Sequence, residues 1–133
     1  MIVDGKQIAN EILEGVHSQL QGQAPLVRAV VMAPTAVTEA YLNIKERAAR
    51  KAGMTLEILR VENDATTEEV IQKVSIPGAD AVIVQLPLPS HVDTQAVLNA
   101  IPLEKDADVL SEAAYRRFEE GGILPPVVGA VDE

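Results

Sequence analysis

The chain has 133 residues, enough for one domain with a single core, and 47% of them are apolar while 23% are charged. This balance is typical of a folded globular protein and excludes a disordered one. The net charge of −9 argues against binding to nucleic acid or to an anionic membrane, since both depend on clustered lysine and arginine. Cysteine is absent, which excludes disulfides and thiolate metal sites. Without a signal-like N-terminus or a long apolar run, the sequence predicts a cytoplasmic protein.

Apolar periodicity predicts alternating helices and strands along the first hundred residues. Asp4 is placed to cap the first helix, and Thr66 or Thr67 to cap the third. Alternation of this kind indicates βαβ units, and hence an α/β fold: a three-layer αβα domain with a mostly parallel sheet. Ligands bind such sheets outside the carboxyl ends of the strands. The helices are predicted at residues 4–20, 35–52, 65–76 and 91–101, and the strands at 26–32, 54–61 and 81–87.

The C-terminal part of the chain differs from the rest in composition. Residues 104–133 carry eight acidic side chains against three basic ones. We therefore expect a domain over residues 1–110, followed over residues 111–133 by an exposed acidic tail with one short helix from Ser111 to Glu120.

The third predicted strand ends in an unusual way, because its apolar run stops at a polar amide, Gln85. Pro87 and Pro89 follow at once, and prolines lack the N–H group that sheet pairing requires. The prolines are expected to end the strand and to stiffen the turn that holds Gln85. Gln85 should then lie at the carboxyl edge of the sheet, where a ligand site is expected.

Thr38, Tyr41 and Lys45 are spaced to share one face of the second helix, where they offer a hydroxyl, a phenol and an amine. On its own this spacing is more typical of a solvated helix face. Y-x-x-x-K also occurs in short-chain dehydrogenases, but those enzymes need a glycine-rich turn upstream of the tyrosine, and none is present.

Asp106 and Asp108 are spaced to point the same way in an extended segment. Such a pair is usually a solvated acidic loop or a cap for the following helix. The additional oxygen ligands that a metal loop needs are absent, so no metal site is predicted. His17 and His91 are far apart in the sequence and without partners there, so surface or core-edge roles are expected rather than catalysis.

Four segments come in the order and spacing of one enzyme family: DGKQIANEI, TEAYLNIK, VQLPLP and IPLEKDAD. Over nearly all of residues 1–110 the chain resembles the bifunctional methylenetetrahydrofolate dehydrogenase/methenyltetrahydrofolate cyclohydrolases, the FolD family. The resemblance implies a folate-binding catalytic domain, which in the family packs against a Rossmann domain for NADP. That NADP-binding domain is absent from this chain, so no cofactor is expected here, and residues 111–133 would begin the linker to it.

The resemblance also implies roles for individual residues. Lys45 would be the catalytic lysine, Tyr41 would lie against the pterin and orient it, and Gln85 would hold the lysine. Asp108 would bind the amino and ring N–H groups of the pterin, since a carboxylate suits a donor edge. The resemblance also implies that Thr38 and Pro87 bind the substrate, together with Tyr41, Gln85 and Asp108.

The chain departs from the family pattern at several positions. Thr38 replaces the usual serine and keeps its hydroxyl group. Val109 stands where glycine is usual, and the segment MAPTAV lacks the glycine that usually follows the first strand. Residues 124–129, LPPVVG, occupy the place of a P-C-T-P-x-G segment but match only a proline and the glycine.

The function implied is hydrolysis of 5,10-methenyltetrahydrofolate to 10-formyltetrahydrofolate, which needs proton transfer and positioning but neither metal nor dinucleotide. NADP-dependent oxidation of 5,10-methylenetetrahydrofolate would need the second domain. Two alternatives stay open: a folate-binding module that is inactive without a separate dinucleotide-binding domain, and a structural remnant without a ligand. The expected partners are a tetrahydrofolate derivative and either a second copy of the chain or a separate NADP-binding domain.

Overall fold

A computed structural model describes residues 3–132 of the chain. Met1, Ile2 and Glu133, which the predicted domain and tail include, lie outside the described residues. A short 3₁₀ helix, Leu103–Lys105, precedes the last two α-helices. The elements, in chain order, are α1 (Gly5–Leu20), β1 (Leu26–Met32), α2 (Ala36–Lys51), β2 (Thr55–Val61), α3 (Thr67–Val74), β3 (Ala81–Val84), α4 (Thr94–Asn99), α5 (Glu112–Glu119) and α6 (Pro126–Asp132).

The three strands form one parallel sheet in the order β2-β1-β3. β1 is central and pairs along its whole length with β2, so that Leu26 lies opposite Thr55 and Met32 opposite Val61. Its other edge pairs with β3, where Val30 lies opposite Val84. The predicted α/β class and parallel sheet are confirmed.

Both faces of the central strand are covered, which explains why six of its seven residues, all but Arg28, are apolar. Ala29 and Val31 point to one face and pack with Leu42 of α2. Alternate residues of β1 point to the opposite face, which α3 and α4 cover. That second cluster is the larger core and includes Val30, Met32, Val70, Val74, Val82, Val84, Val97 and Leu98. The layers are therefore helix, sheet and helix, as the sequence predicted.

The helix caps follow the sequence signals closely. The Asp4 carboxylate accepts hydrogen bonds from the N–H groups of Lys6 and Gln7 at 3.0 and 3.2 Å. Of the two candidate threonines, Thr66 caps α3, and it forms a reciprocal capping box with Glu69. The predicted tail helix is present as α5, which Ser111 caps.

Three features differ from the sequence prediction. β3 ends at Val84 rather than at residue 87, although the Gln85 N–H still donates to the Val30 carbonyl at 2.9 Å. α6 was not predicted, because its short apolar sequence has no helical periodicity. α1 is amphipathic as expected, but none of its residues is buried and Ile12 is 44% exposed.

A close approach between α1 and the end of α2 generates a stability prediction. Gly53 has a φ of +81°, and a Cβ placed there would lie 2.6 Å from Nδ1 of His17. Gly53→Ala should lower the free energy of unfolding by about 1–2 kcal/mol through the left-handed backbone alone, and by more through the clash. Urea unfolding would measure this loss.

Gly22→Ala is the matched control, since Gly22 has a φ of +84° but no atom within 4 Å of an added Cβ. Gly53→Ala should lose more stability than Gly22→Ala, and adding His17→Ala should recover the difference. Equal losses in the two single variants would contradict a role for the contact with His17.

Candidate active site at the carboxyl edge of the sheet

Because side chains alternate between the two faces of a strand, the Gln85 side chain points toward α2. Ile83 lies opposite Ala29, whose side chain points to the face that α2 covers, and Gln85 is two residues further along the same side. There the Lys45 Nζ donates a hydrogen bond to Gln85 Oε1 at 3.1 Å. The other end of the amide, Nε2, donates to the Leu86 carbonyl at 3.3 Å. The predicted contact between Lys45 and Gln85 is confirmed, and both ends of the amide are used.

The pair lies where the fold predicts a ligand site. β1 and β3 are neighbours in the sheet, but the helix after β1 covers one face and the helix after β3 covers the other. The loops that leave the carboxyl ends of these two strands are therefore expected to diverge toward opposite faces of the sheet. Ligands of open parallel sheets bind at such a crossover point.

Thr38, Tyr41 and Lys45 follow one another along α2, as the spacing predicted. Thr38 lies in the first turn, where its N–H donates to the capping Thr35 Oγ1 at 3.2 Å and the two hydroxyl oxygens are 3.0 Å apart. Tyr41 is 58% exposed, one turn before Lys45. Its ring borders an open apolar groove of about 430 Å³, lined also by Ala36, Val37, Ala40 and Ile44. The helix thus presents an exposed aromatic ring beside the amine.

Asp108 completes the group from a third segment, the loop before α5. Burial raises the pKa of the half-buried Asp108 carboxyl, the positive charge of Lys45 acts to lower it, and the negative charge of Asp106 raises it further. Within residues 3–132 no group donates a hydrogen bond to the Asp108 carboxylate, so its oxygens can accept hydrogen bonds from a ligand. An amine and an amide are therefore in direct contact, and the charge of the amine also acts on a carboxylate from a third element.

The expectation for the two aspartates was wrong in one respect. They do not point the same way from an extended segment, since residues 107 and 108 form a turn. Asp106 is only 4% exposed, and its carboxylate accepts hydrogen bonds from the backbone N–H groups of Leu110 and Ser111. Asp106 is therefore not part of a solvated acidic pair, and it bonds the residues just before α5, whose cap is Ser111.

Three other features singled out from the sequence have different surroundings. Pro87 is exposed, and the peptide bond between Leu86 and Pro87 is cis. Residues 124–129 lead into and form the start of α6, where Val127 is 78% exposed. His91 is exposed, in keeping with the surface role expected for it, and its Nε2 lies 3.2 Å from the Ala65 carbonyl oxygen.

Two loops at this edge adopt left-handed backbone conformations. Ala33, directly after β1, has a φ of +46°, and Val109, directly after Asp108, has a φ of +57°. These are the two places where glycine was expected from the resemblance, and glycine adopts such a conformation without steric cost. The backbone therefore keeps a glycine-like shape at both positions although the residues differ.

Two kinds of feature are absent from the described residues. Between residues 3 and 132, no three or more His, Asp or Glu side chains are grouped closely enough to hold a metal ion. No helix of that range combines the length and the apolar character needed to cross a membrane.

Comparison with known proteins gives a consistent set of matches. The family model described as tetrahydrofolate dehydrogenase/cyclohydrolase, catalytic domain, matches residues 3–108. The bifunctional protein FolD of Staphylococcus carnosus (strain TM300) is 37% identical over 116 residues, which cover 80% of this chain and 41% of that protein. The chain therefore spans about two fifths of the length of this curated relative.

Solved structures agree with the fold. The bifunctional dehydrogenase/cyclohydrolase FolD from Campylobacter jejuni superposes with a TM-score of 0.85 at 20% identity, covering 97% of this chain and 51% of that chain. The Trypanosoma brucei dehydrogenase-cyclohydrolase, solved with NADP and an inhibitor, gives 0.82 at 24% identity, covering 94% and 46%. At these identities the two structures establish the fold alone.

The raised pKa of Asp108 generates a prediction about stability and pH. The pKa of Asp108 is higher in the folded state than its unfolded value of about 3.8. The contribution of such a carboxyl to stability is complete below the pKa of the unfolded state and is lost as the pH rises through the pKa of the folded state. Asp108→Asn should therefore raise the free energy of unfolding at neutral pH and change it little below pH 3.8. Urea unfolding as a function of pH measures this.

Glu39 provides a control of opposite sign. Its hydrogen bonds with Arg60, at 2.6 and 3.0 Å, and the charge of that guanidinium lower its pKa. Glu39→Gln should therefore destabilise the protein slightly at neutral pH, and the loss should disappear in acid. A loss of stability in Asp108→Asn at neutral pH would contradict the assigned environment of Asp108.

Proposed function

Because this chain belongs to the tetrahydrofolate dehydrogenase/cyclohydrolase family, whose catalytic domain matches residues 3–108, we propose that it hydrolyses 5,10-methenyltetrahydrofolate to 10-formyltetrahydrofolate. The observation that supports this most directly is the hydrogen bond between Lys45 and Gln85 at the carboxyl edge of the sheet. An oriented amine is what this hydrolysis requires, and it requires no metal.

In the proposed reaction, water adds to the electrophilic carbon of the methenyl group while Lys45 accepts the water proton. The bond from that carbon to the ring nitrogen N5 then breaks, and the nitrogen takes up a proton as the five-membered ring opens. A cationic substrate and one water thus give the neutral formyl product and one released proton. The positive charge of the substrate favours the neutral amine that a base needs, because like charges repel.

The neighbouring side chains have distinct proposed roles. Gln85 holds the Lys45 amine in place, and Tyr41 packs its exposed ring against the pterin. Asp108 accepts hydrogen bonds from the amino and ring N–H groups of the pterin, so that ligands without those donors leave a half-buried carboxylate unpaired. Thr38 and Pro87 border the substrate.

NADP-dependent oxidation of 5,10-methylenetetrahydrofolate is proposed only in combination with a dinucleotide-binding domain. Members of the family are described with NADP, and hydride transfer needs a protein surface that holds the nicotinamide against the folate. We propose residues 1–110 as the folate-binding domain and residues 111–133 as the start of a linker. A second copy of the chain or a separate NADP-binding domain is the proposed partner, and the cytoplasm the proposed compartment.

The test is spectroscopic. Purified chain should accelerate the loss of 5,10-methenyltetrahydrofolate absorbance over the spontaneous rate, and Lys45→Met should lower kcat by about 10²-fold or more, because general-base catalysis contributes that much. Lys51→Met is the matched control, since Lys51 is an exposed lysine at the end of the same helix, bonded to Asn10 on α1. The control should retain its activity.

Two results would contradict the proposal in different ways. Equal rates for the unmodified chain and Lys45→Met would exclude Lys45 as the base. Folate binding that Asp108→Asn weakens, without turnover unless a dinucleotide-binding domain is added, would favour the partner-dependent module instead.

A further inference from the structure

A buried carboxylate lies two residues before Asp108 and takes no part in the proposed chemistry. Asp106 is 4% exposed. Its Oδ2 accepts a hydrogen bond from the Ser111 N–H at 2.9 Å, and its Oδ1 accepts one from the Leu110 N–H at 3.4 Å. These bonds join the two ends of residues 106–111, the loop that carries Asp108.

The same loop is anchored to the elements on either side. Asp106 forms a parallel bridge with Val82 of β3, and the Ala107 N–H donates to the Val82 carbonyl at 3.3 Å. At the other end Ser111, 2% exposed, caps α5 by accepting the Ala114 N–H at 3.2 Å. The loop is therefore tied to β3, the strand that precedes Gln85, and also to α5.

Between these anchors the backbone adopts a conformation that its sequence disfavours. Val109 is β-branched and buried, and its φ of +57° is costly for such a residue. A conformation of this kind persists only where the surroundings hold it in place. Two hydrogen bonds across the loop supply part of that restraint.

The residue type at position 106 also fits this task. The loop offers two N–H donors, and an ionised carboxylate can accept both, with bonds about twice as strong as those of a neutral acceptor. Each N–H is bonded by a different carboxylate oxygen, so the NH2 group of an asparagine would face one of the two donors and leave it without an acceptor. Burial of a charge is costly unless it is hydrogen-bonded, so Asp106 makes little sense as a passive core residue.

We propose that Asp106 is a positioning residue for the folate site: by holding the Leu110 and Ser111 N–H groups, it fixes the loop that presents Asp108 to the ligand beside Lys45. The inference rests on the proposed function in so far as Asp108 contacts folate. Asp106 itself does not touch the substrate.

The kinetic test replaces Asp106 by asparagine. Asp106→Asn should raise KM for 5,10-methenyltetrahydrofolate by roughly tenfold to a hundredfold with a much smaller change in kcat, because a misplaced binding group is costly. In an Asp108→Asn background the same change should have no further effect on KM. Asp80→Asn is the matched control, since the Asp80 carboxylate also accepts a backbone N–H, that of Leu26 at 2.8 Å, at the opposite edge of the sheet.

Asp80→Asn should leave KM unchanged. Additive effects of Asp106→Asn and Asp108→Asn, or an unchanged KM in Asp106→Asn, would overturn the proposal and leave Asp106 a purely structural residue. If Asp106→Asn does not fold, Asp106→Glu replaces it: the charge stays, but the longer side chain cannot hold both N–H groups in the same geometry, so KM should still rise.

A second test uses no folate. Its result therefore remains interpretable even if the chain does not catalyse the proposed reaction. The Asp108 carboxyl is titrated by ¹³C NMR with and without Lys45→Met. Because Lys45 lowers the pKa of Asp108, its removal should raise that pKa in the otherwise unmodified chain. In an Asp106→Asn or Asp106→Glu background the rise should disappear. A rise of equal size in both backgrounds would show that Asp106 does not position Asp108.

Discussion

The parallel pairing of β1 with β2 on one side and β3 on the other is the constraint on which the site depends. It places the carboxyl ends of β1 and β3 side by side, and their following loops leave toward opposite faces of the sheet. Because side chains alternate along a strand, Gln85 must then point to the face that α2 covers. The hydrogen bond with Lys45 follows from this register, and a shift by one residue would turn Gln85 to the opposite face.

Several energetically unfavourable features of the structure lie at the carboxyl edge of the sheet. Ala33 and Val109 have left-handed backbones, and Asp108 is a half-buried carboxylate with a raised pKa and no hydrogen bond from any group in residues 3–132. Each feature opposes folding, and each lies in a loop at the carboxyl edge rather than in the core. Local rules are commonly broken in this way at functional sites, where the scaffold supplies the stability that the site lacks.

Sequence reasoning succeeded where a residue's environment follows from the pattern around it. The strands, the first five helices and the caps Asp4 and Thr66 have periodic or capping signals that tertiary contacts do not override. The approach of Lys45 to Gln85 was predicted by the polar end of an apolar strand together with the family resemblance. The hydrogen bond at 3.1 Å confirms the contact, while the catalytic roles of both residues stay predictions.

The features that were not predicted depend on tertiary contacts that no local sequence pattern indicates. Asp106 and Asp108 are indistinguishable by spacing and residue type, yet Asp106 is buried under the loop, while Asp108 is half-buried and its pKa is influenced by the charge of Lys45. The difference arises because residues 107 and 108 turn instead of extending, which the bridge to β3 and the start of α5 determine together. The sequence of α6 has no helical periodicity, and none of residues 126–131 is buried, so no sequence pattern predicted this helix.

The choice of a neutral amide beside Lys45 has a chemical consequence. A carboxylate at that position would orient the amine equally well but would also stabilise its protonated form, which cannot accept a proton. Gln85 orients the amine through an oxygen without a full negative charge, and its own orientation is fixed by the Leu86 carbonyl. The carboxylate that the site does contain, Asp108, has its charge opposed by burial and comes from a separate loop. In the proposed mechanism, different side chains orient the base and recognise the ligand, so that holding the amine in place does not require holding it charged.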